Sequence, residues 1–226
     1  MCGMDCNVPD SREDGLSNMT EPKFRKHISL NGTWSVAPGE ADRPPGRFLS
    51  KVQVPGLVDL AEPVILWKDF NYFWYRKEFA VPANLISPYA FLVIEQAAFG
   101  TEVRLNGKRI GGDIACYTSQ EYPLHRYIRP GDTNVLEVRV GAKGTLPPES
   151  AVGNDYEKTD FIPGIWGDVS VVLHDNPRIK NVHIIPHIDT EVAEVRVSLE
   201  NLDAAEHSCD VRIGILEKES GKRASE

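Results

Sequence analysis

One stretch constrains the fold more than any other: TEVRLNGKRIGG, residues 101–112. Asn106-Gly107 lies between two short runs that mix apolar and charged residues. A type I′ turn needs φ > 0 at both central positions, which Asn and Gly tolerate, so the pair predicts a two-residue β-hairpin. Such a hairpin sets Leu105 opposite Lys108, Arg104 opposite Arg109 and Val103 opposite Ile110. Val103, Leu105 and Ile110 then share one face, and the two arginines share the other. Like charges facing each other are unfavourable. The arginine face is therefore expected to meet water or carboxylates such as Glu102.

The rest of the chain has the same β character. Residues 51–54 alternate and stop at Pro55-Gly56. Residues 72–81 are rich in aromatic and β-branched side chains and favour strand. Alternation puts Tyr75, Lys77, Phe79 and Val81 on one face of that strand, and Trp74, Arg76, Glu78 and Ala80 on the other. Residues 89–95 are a continuous apolar run, short enough for a strand buried on both faces. Residues 117–128 read as an irregular strand. Leu136, Val138 and Val140 alternate with Glu137 and Arg139, as in a strand covered on one face. Val169, Val171 and Leu173 are expected to point inward. No helix of ordinary length has a clear signature, and no apolar run approaches a membrane span.

Residues 1–26 are polar and predict a flexible arm. One domain is expected over 27–176. His174 to Arg178 read as a junction, and residues 177–226 hold three strand-like runs, at 179–186, 192–199 and 211–216. Three strands are half of an immunoglobulin-like sandwich, which needs about seven. The chain is thus expected to stop inside its second domain, as a truncated piece of a longer protein. The N-terminus has no signal-peptide core. Localisation is open between cytoplasmic and periplasmic or secreted.

Charge narrows the choice of partner. The formal net charge of -8 argues against nucleic acid, because phosphate binding needs a basic surface. The four cysteines, Cys2, Cys6, Cys116 and Cys209, lack zinc-ligand spacing and imply no disulfide network. His183 and His187 fall on one strand face, but about 13 Å apart, too far for one metal ion. No cofactor or metal is expected.

Three stretches together resemble glycoside hydrolase family 2, the β-galactosidases, β-glucuronidases and β-mannosidases. WYRKEF (74–79) is similar to the family's aromatic-Tyr-Arg-x-x-Phe strand. VRLNGKRIG (103–111), with Cys116-Tyr117-Thr118 after it, is similar to its Leu-Asn-Gly hairpin and the aromatic stretch beyond. PGDTNVLEVRV (130–140), followed by GIWGDV (164–169), is similar to its Pro-Gly-Glu-Asn strand and Gly-Ile-aromatic-Arg-Asp-Val motif. Gly167 departs from the usual Arg, and Cys116 from a common Gly. The resemblance covers about residues 27–175. It implies an all-β fold: a jelly-roll (galactose-binding-like) sandwich, then part of an immunoglobulin-like sandwich.

It also implies where the chemistry is. Retaining glycoside hydrolysis needs two carboxyl groups about 5 Å apart. The family carries them on a C-terminal TIM barrel of about 250 residues, and no Asn-Glu pair of the family type occurs here. The expected function is a non-catalytic, sugar-binding part of a protein that hydrolyses O-glycosyl bonds, reaching its carbohydrate substrate through that barrel. In some family members a carboxylate shortly before the Gly-Ile pair reaches the catalytic pocket. Asp160 and Asp155 are the candidates. Asn154 shares their loop, a long polar one of the kind that often carries function. Trp67 and Trp166 are candidates for stacking on sugar rings. Two other readings remain open: an autonomous carbohydrate-binding module, and a structural or adhesive β protein.

Overall fold

The computed structural model describes residues 25–84, 89–152, 159–216, 218 and 220. Its strands in chain order are β1 (Arg25–Ser29), β2 (Gly32–Pro38), β3 (Ser50–Val54), β4 (Gly56–Leu57), β5 (Tyr72–Ala80), β6 (Tyr89–Ile94), β7 (Ala97–Ala98), β8 (Thr101–Leu105), β9 (Lys108–Asp113), β10 (Gln120–Pro123), β11 (Thr133–Gly141), β12 (Gly164–Ile165), β13 (Val169–His174), β14 (Arg178–His187) and β15 (Val192–Glu200). The helical elements among the described residues are single 3₁₀ turns. β1 starts at Arg25, two residues before the expected onset of order.

A six-stranded sheet, β3-β2-β5-β11-β8-β9, faces a four-stranded sheet, β1-β13-β6-β10. Alternation explains the core between them. The first sheet contributes Trp34, Val36, Val52, Phe73, Tyr75, Val103, Leu105 and Val138, and the second Leu92, Ile94, Val169, Val171 and Leu173. All are buried. β6 is buried along most of both faces, as its unbroken apolar run predicts. The fold is an all-β sandwich. A short three-stranded sheet, β4-β12-β7, closes one end.

The hairpin β8–β9 keeps the expected turn, with Asn106 at φ 51° and Gly107 at φ 78°. Leu105 faces Lys108 and Arg104 faces Arg109. Beyond that a bulge intervenes, and Val103 faces Gly111 instead of Ile110. A bulge inserts one residue on one strand and re-aims the side chains beyond it, which sequence alternation alone does not show. The arginine face does find Glu102. Arg104 Nε donates to Oε1 at 2.9 Å and Arg109 Nε donates to Oε2 at 3.1 Å.

Trp74 sits on the outer face of the six-stranded sheet, as its alternation requires, yet it is fully buried. The loop after β2 covers it. Trp74 Nε1 donates to Glu40 O at 2.8 Å, Arg104 donates to Asp42 O and Arg139 Nη1 donates to Ala41 O. The same loop lays Phe48 under Arg76, 4.0 Å from guanidinium carbon to ring centroid.

β14 and β15 form a two-stranded antiparallel ribbon. Residues 211–215 are not in a strand, contrary to the third run expected there, and Leu216 makes only an isolated bridge. Their apolar side chains stay exposed, so alternation alone did not recruit them to a sheet. Arg178, 4% exposed, ties the ribbon to the sandwich. Its Nη2 donates to Glu121 Oε2 at 2.8 Å, its Nε donates to Glu200 Oε2 at 2.6 Å, and its guanidinium lies 3.9 Å from the Phe91 ring centroid.

His174 lies beside this anchor, buried and 5.7 Å from the Phe91 ring. Burial, then the positive charges of Arg178 and Arg25, push its pKa down to about 4, with Glu121 opposing and His27 adding to the shift. An unfolded histidine titrates near 6.5. The unfolded chain therefore takes up the proton first, and stability falls as pH drops from about 6.5 toward 4. Between pH 7 and pH 5 the wild-type chain should lose about 2 kcal/mol that His174→Gln does not lose. Urea midpoints of both proteins at the two pH values measure this. Parallel slopes would refute it.

Candidate functional site

The short sheet β4-β12-β7 gathers the loops of one end. Gly164 faces Leu57 on one side and Ala98 on the other. A Cβ at Gly164 would meet Gly56 O at 2.6 Å and Leu57 Cα at 2.7 Å, so glycine is required by space. Val58 N–H donates to Pro163 O at 2.9 Å, and Trp166 N–H and Gly167 N–H both donate to Gln96 O. At Gly167 a Cβ would lie 2.5 Å from Gln96 N. The departure from the family's usual Arg therefore matches a backbone too close to its neighbour for any side chain.

Trp67 opens a 3₁₀ turn, Trp67–Asp69, and is half-buried against the main core. Lys68 Nζ lies 5.3 Å from the Trp67 ring centroid and 2.8 Å from Asp160 Oδ1. The turn thus brings Asp160 and Trp67 to one place, through a lysine that sequence reasoning did not single out. Its position next to Trp67 in the same connection was the available signal. Lys68 and Asp160 are about half exposed, so their pair adds little stability. It leaves a carboxylate and an ammonium open to hydroxyl groups.

Trp166 is half-buried in a second, smaller cluster with Ala98, Phe99 and Cys116. Tyr117 meets it edge to face at 5.8 Å and fixes the loop by donating from its hydroxyl to Val152 O at 2.7 Å. Lys143 Nζ stands 3.5 Å from the Phe161 ring centroid. Cys116 is a buried free thiol, and burial raises its pKa. Asn154 and Asp155 lie outside the described residues. Trp34 and Trp74 are core residues, with no face for a ligand.

Among the described residues, the carboxyl groups with shifted pKa values, Glu121, Glu194 and Asp203, shift downward. Burial raises Glu121, but bonds from Arg178 and Lys180 outweigh it; bonds from Arg196 and His187 lower Glu194; bonds from His207 and Ala205 lower Asp203. A glycosidase general acid needs the opposite shift. Among the described residues no group of three or more His, Cys, Asp or Glu side chains gathers as a metal site. His187 instead approaches Glu194 at 3.4 Å.

The fold is that of known glycosidases. The chain matches the β-glucuronidase of Faecalibacterium prausnitzii with a TM-score of 0.62 and 19% identity, over 80% of this chain and 37% of that one. It matches the β-glucuronidase of an uncultured Clostridium species with a TM-score of 0.63 and 18% identity, over 81% of this chain and 35% of that one. By sequence, a β-galactosidase of Thermoanaerobacter pseudethanolicus is 26% identical over 129 residues, which is 55% of this chain and 17% of the relative. No family model matches. The chain spans about a third of the length of these solved structures and about a sixth of that curated relative. It is an all-β sandwich of the kind seen in these β-glucuronidases.

Proposed function

We propose that the chain is the non-catalytic N-terminal portion of a family 2 glycoside hydrolase: a jelly-roll sugar-binding domain at 27–176, with the start of an immunoglobulin-like domain after it. The parent protein hydrolyses O-glycosyl bonds on a C-terminal barrel. The loop end built on β4-β12-β7 faces that barrel and lends Trp67, Asp160 and Trp166, with Asn154 and Asp155 from the same loop, to the carbohydrate cleft. The observation that carries this reading is the match to β-glucuronidases over four-fifths of this chain but only about a third of theirs.

The chain alone is expected to release no p-nitrophenol above buffer from p-nitrophenyl β-D-galactoside, β-D-glucuronide or β-D-mannoside. Turnover by the purified chain that disappears in Asp160→Asn would overturn the non-catalytic reading.

A further inference from the structure

The arginine face of the hairpin borders a cavity of about 470 Å³, lined among others by Tyr72, Glu102, Arg109, Asp113, Arg139 and Leu146. Ligand sites commonly span about 300–1,000 Å³. The cavity lies on the outer face of the six-stranded sheet, on the part where Tyr72, Arg109 and Arg139 line it.

Its electrostatics are unbalanced. Arg139 faces Glu102 directly across β11 and β8. Glu102 is nonetheless committed elsewhere, one oxygen to Arg104 and the other to Arg109. Arg104 and Arg109 therefore share one buried carboxylate, and Arg139 is left outside the pair. Arg139 has no ion-pair partner among the described residues. It stacks on Tyr72 at 4.9 Å and spends Nη1 on Ala41 O, while its Nε is buried with no hydrogen-bond partner. A buried donor left unpaired is costly; because that Nε is enclosed, Nη2 is the group Arg139 can offer to a carboxylate. Arg109 keeps a 63% exposed side chain on the same wall.

We propose that this groove binds the carboxylate-bearing unit of an acidic saccharide. The sugar carboxylate takes Nη2 of Arg139 and the exposed donors of Arg109. Asp113 accepts from ring hydroxyls, and the negative charge of Asp113 and Glu102 disfavours a compact dianion such as phosphate. The cavity borders the Trp166 cluster through Phe99 and Leu146, but neither Trp67 nor Asp160 is in its lining, so binding that depends on Arg109 and Arg139 is read separately from the hydrolysis test of the proposed function.

Isothermal titration of the full chain tests it, with tetragalacturonate and a hyaluronan tetrasaccharide as probes and cellotetraose and inorganic phosphate as controls. Saturable binding of at least one acidic probe at millimolar concentration or tighter is expected. Arg109→Gln and Arg139→Gln should each weaken it about tenfold or more. Arg109 is exposed enough that Arg109→Gln keeps the test decisive if Arg139→Gln does not fold. Binding of neither acidic probe, equal binding of cellotetraose or phosphate, or acidic-probe binding that survives Arg109→Gln overturns the proposal.

Discussion

Replacing Arg178 by methionine should lower stability by about 3 kcal/mol and loosen the β14–β15 ribbon. The arginine side chain is 3% exposed and holds Glu121 and Glu200 together. Removing it leaves Glu121 and Glu200 with Lys180, at 2.6 Å and 3.6 Å, as their remaining cation in a partly dry junction. The cost sits at the low end for a broken buried pair because Glu121 and Glu200 stay 28% and 38% exposed. Hydrogen exchange should speed up first in β14 and β15, while β5 and β11 keep their protection. The double variant Arg178→Met, Glu121→Gln should recover part of the loss, because the penalty comes mainly from unpaired charge. A double variant no more stable than the single one would place the loss in packing against Phe91 instead.

Asn134→Leu should cost about 3 kcal/mol. Asn134 is fully buried, with both ends of its amide in use. Its Oδ1 accepts from Arg129 N–H at 2.8 Å and from Asn106 Nδ2 at 3.0 Å, and its Nδ2 donates to Arg129 O and Asp132 O. Asn106 in turn accepts from Val135 N–H and donates to Tyr127 O. The Leu-Asn-Gly hairpin and the Pro-Gly-Asp-Thr-Asn turn are therefore one hydrogen-bonded unit. Leucine leaves several of these backbone groups dry and unpaired. A denaturation midpoint within error of wild type would show that water replaces the amide without loss.

Local chemistry made much of this fold legible. Asn106-Gly107 fixed its turn, the alternation of β5 and β11 placed their core faces, and the unbroken run of β6 marked a doubly buried strand. What was not legible depends on distant parts of the chain. The bulge that moves Ile110 off Val103 has no local signature. Trp74 is outward by periodicity, and only the loop at 39–48 buries it. Of the candidate site, Trp67 and Asp160 share one place because Lys68 joins them across some ninety residues of sequence. The groove at Arg109 and Arg139 draws on four separate strands, so no single segment announces it.

The ribbon also governs how the purified chain behaves in bulk. β14 and β15 pair only with each other among the described residues, and Ile179, Val182, Ile184, Val192 and Leu199 lie on the outside. Open strand edges beside apolar side chains template pairing between molecules. The sandwich carries cross-strand charge pairs such as Arg76 with Glu137, and its exposed apolar side chains, such as Leu49, Val64 and Leu66, lie in loops rather than along an open ribbon. Concentration-dependent association of the purified chain is therefore expected to involve the open edges of this ribbon.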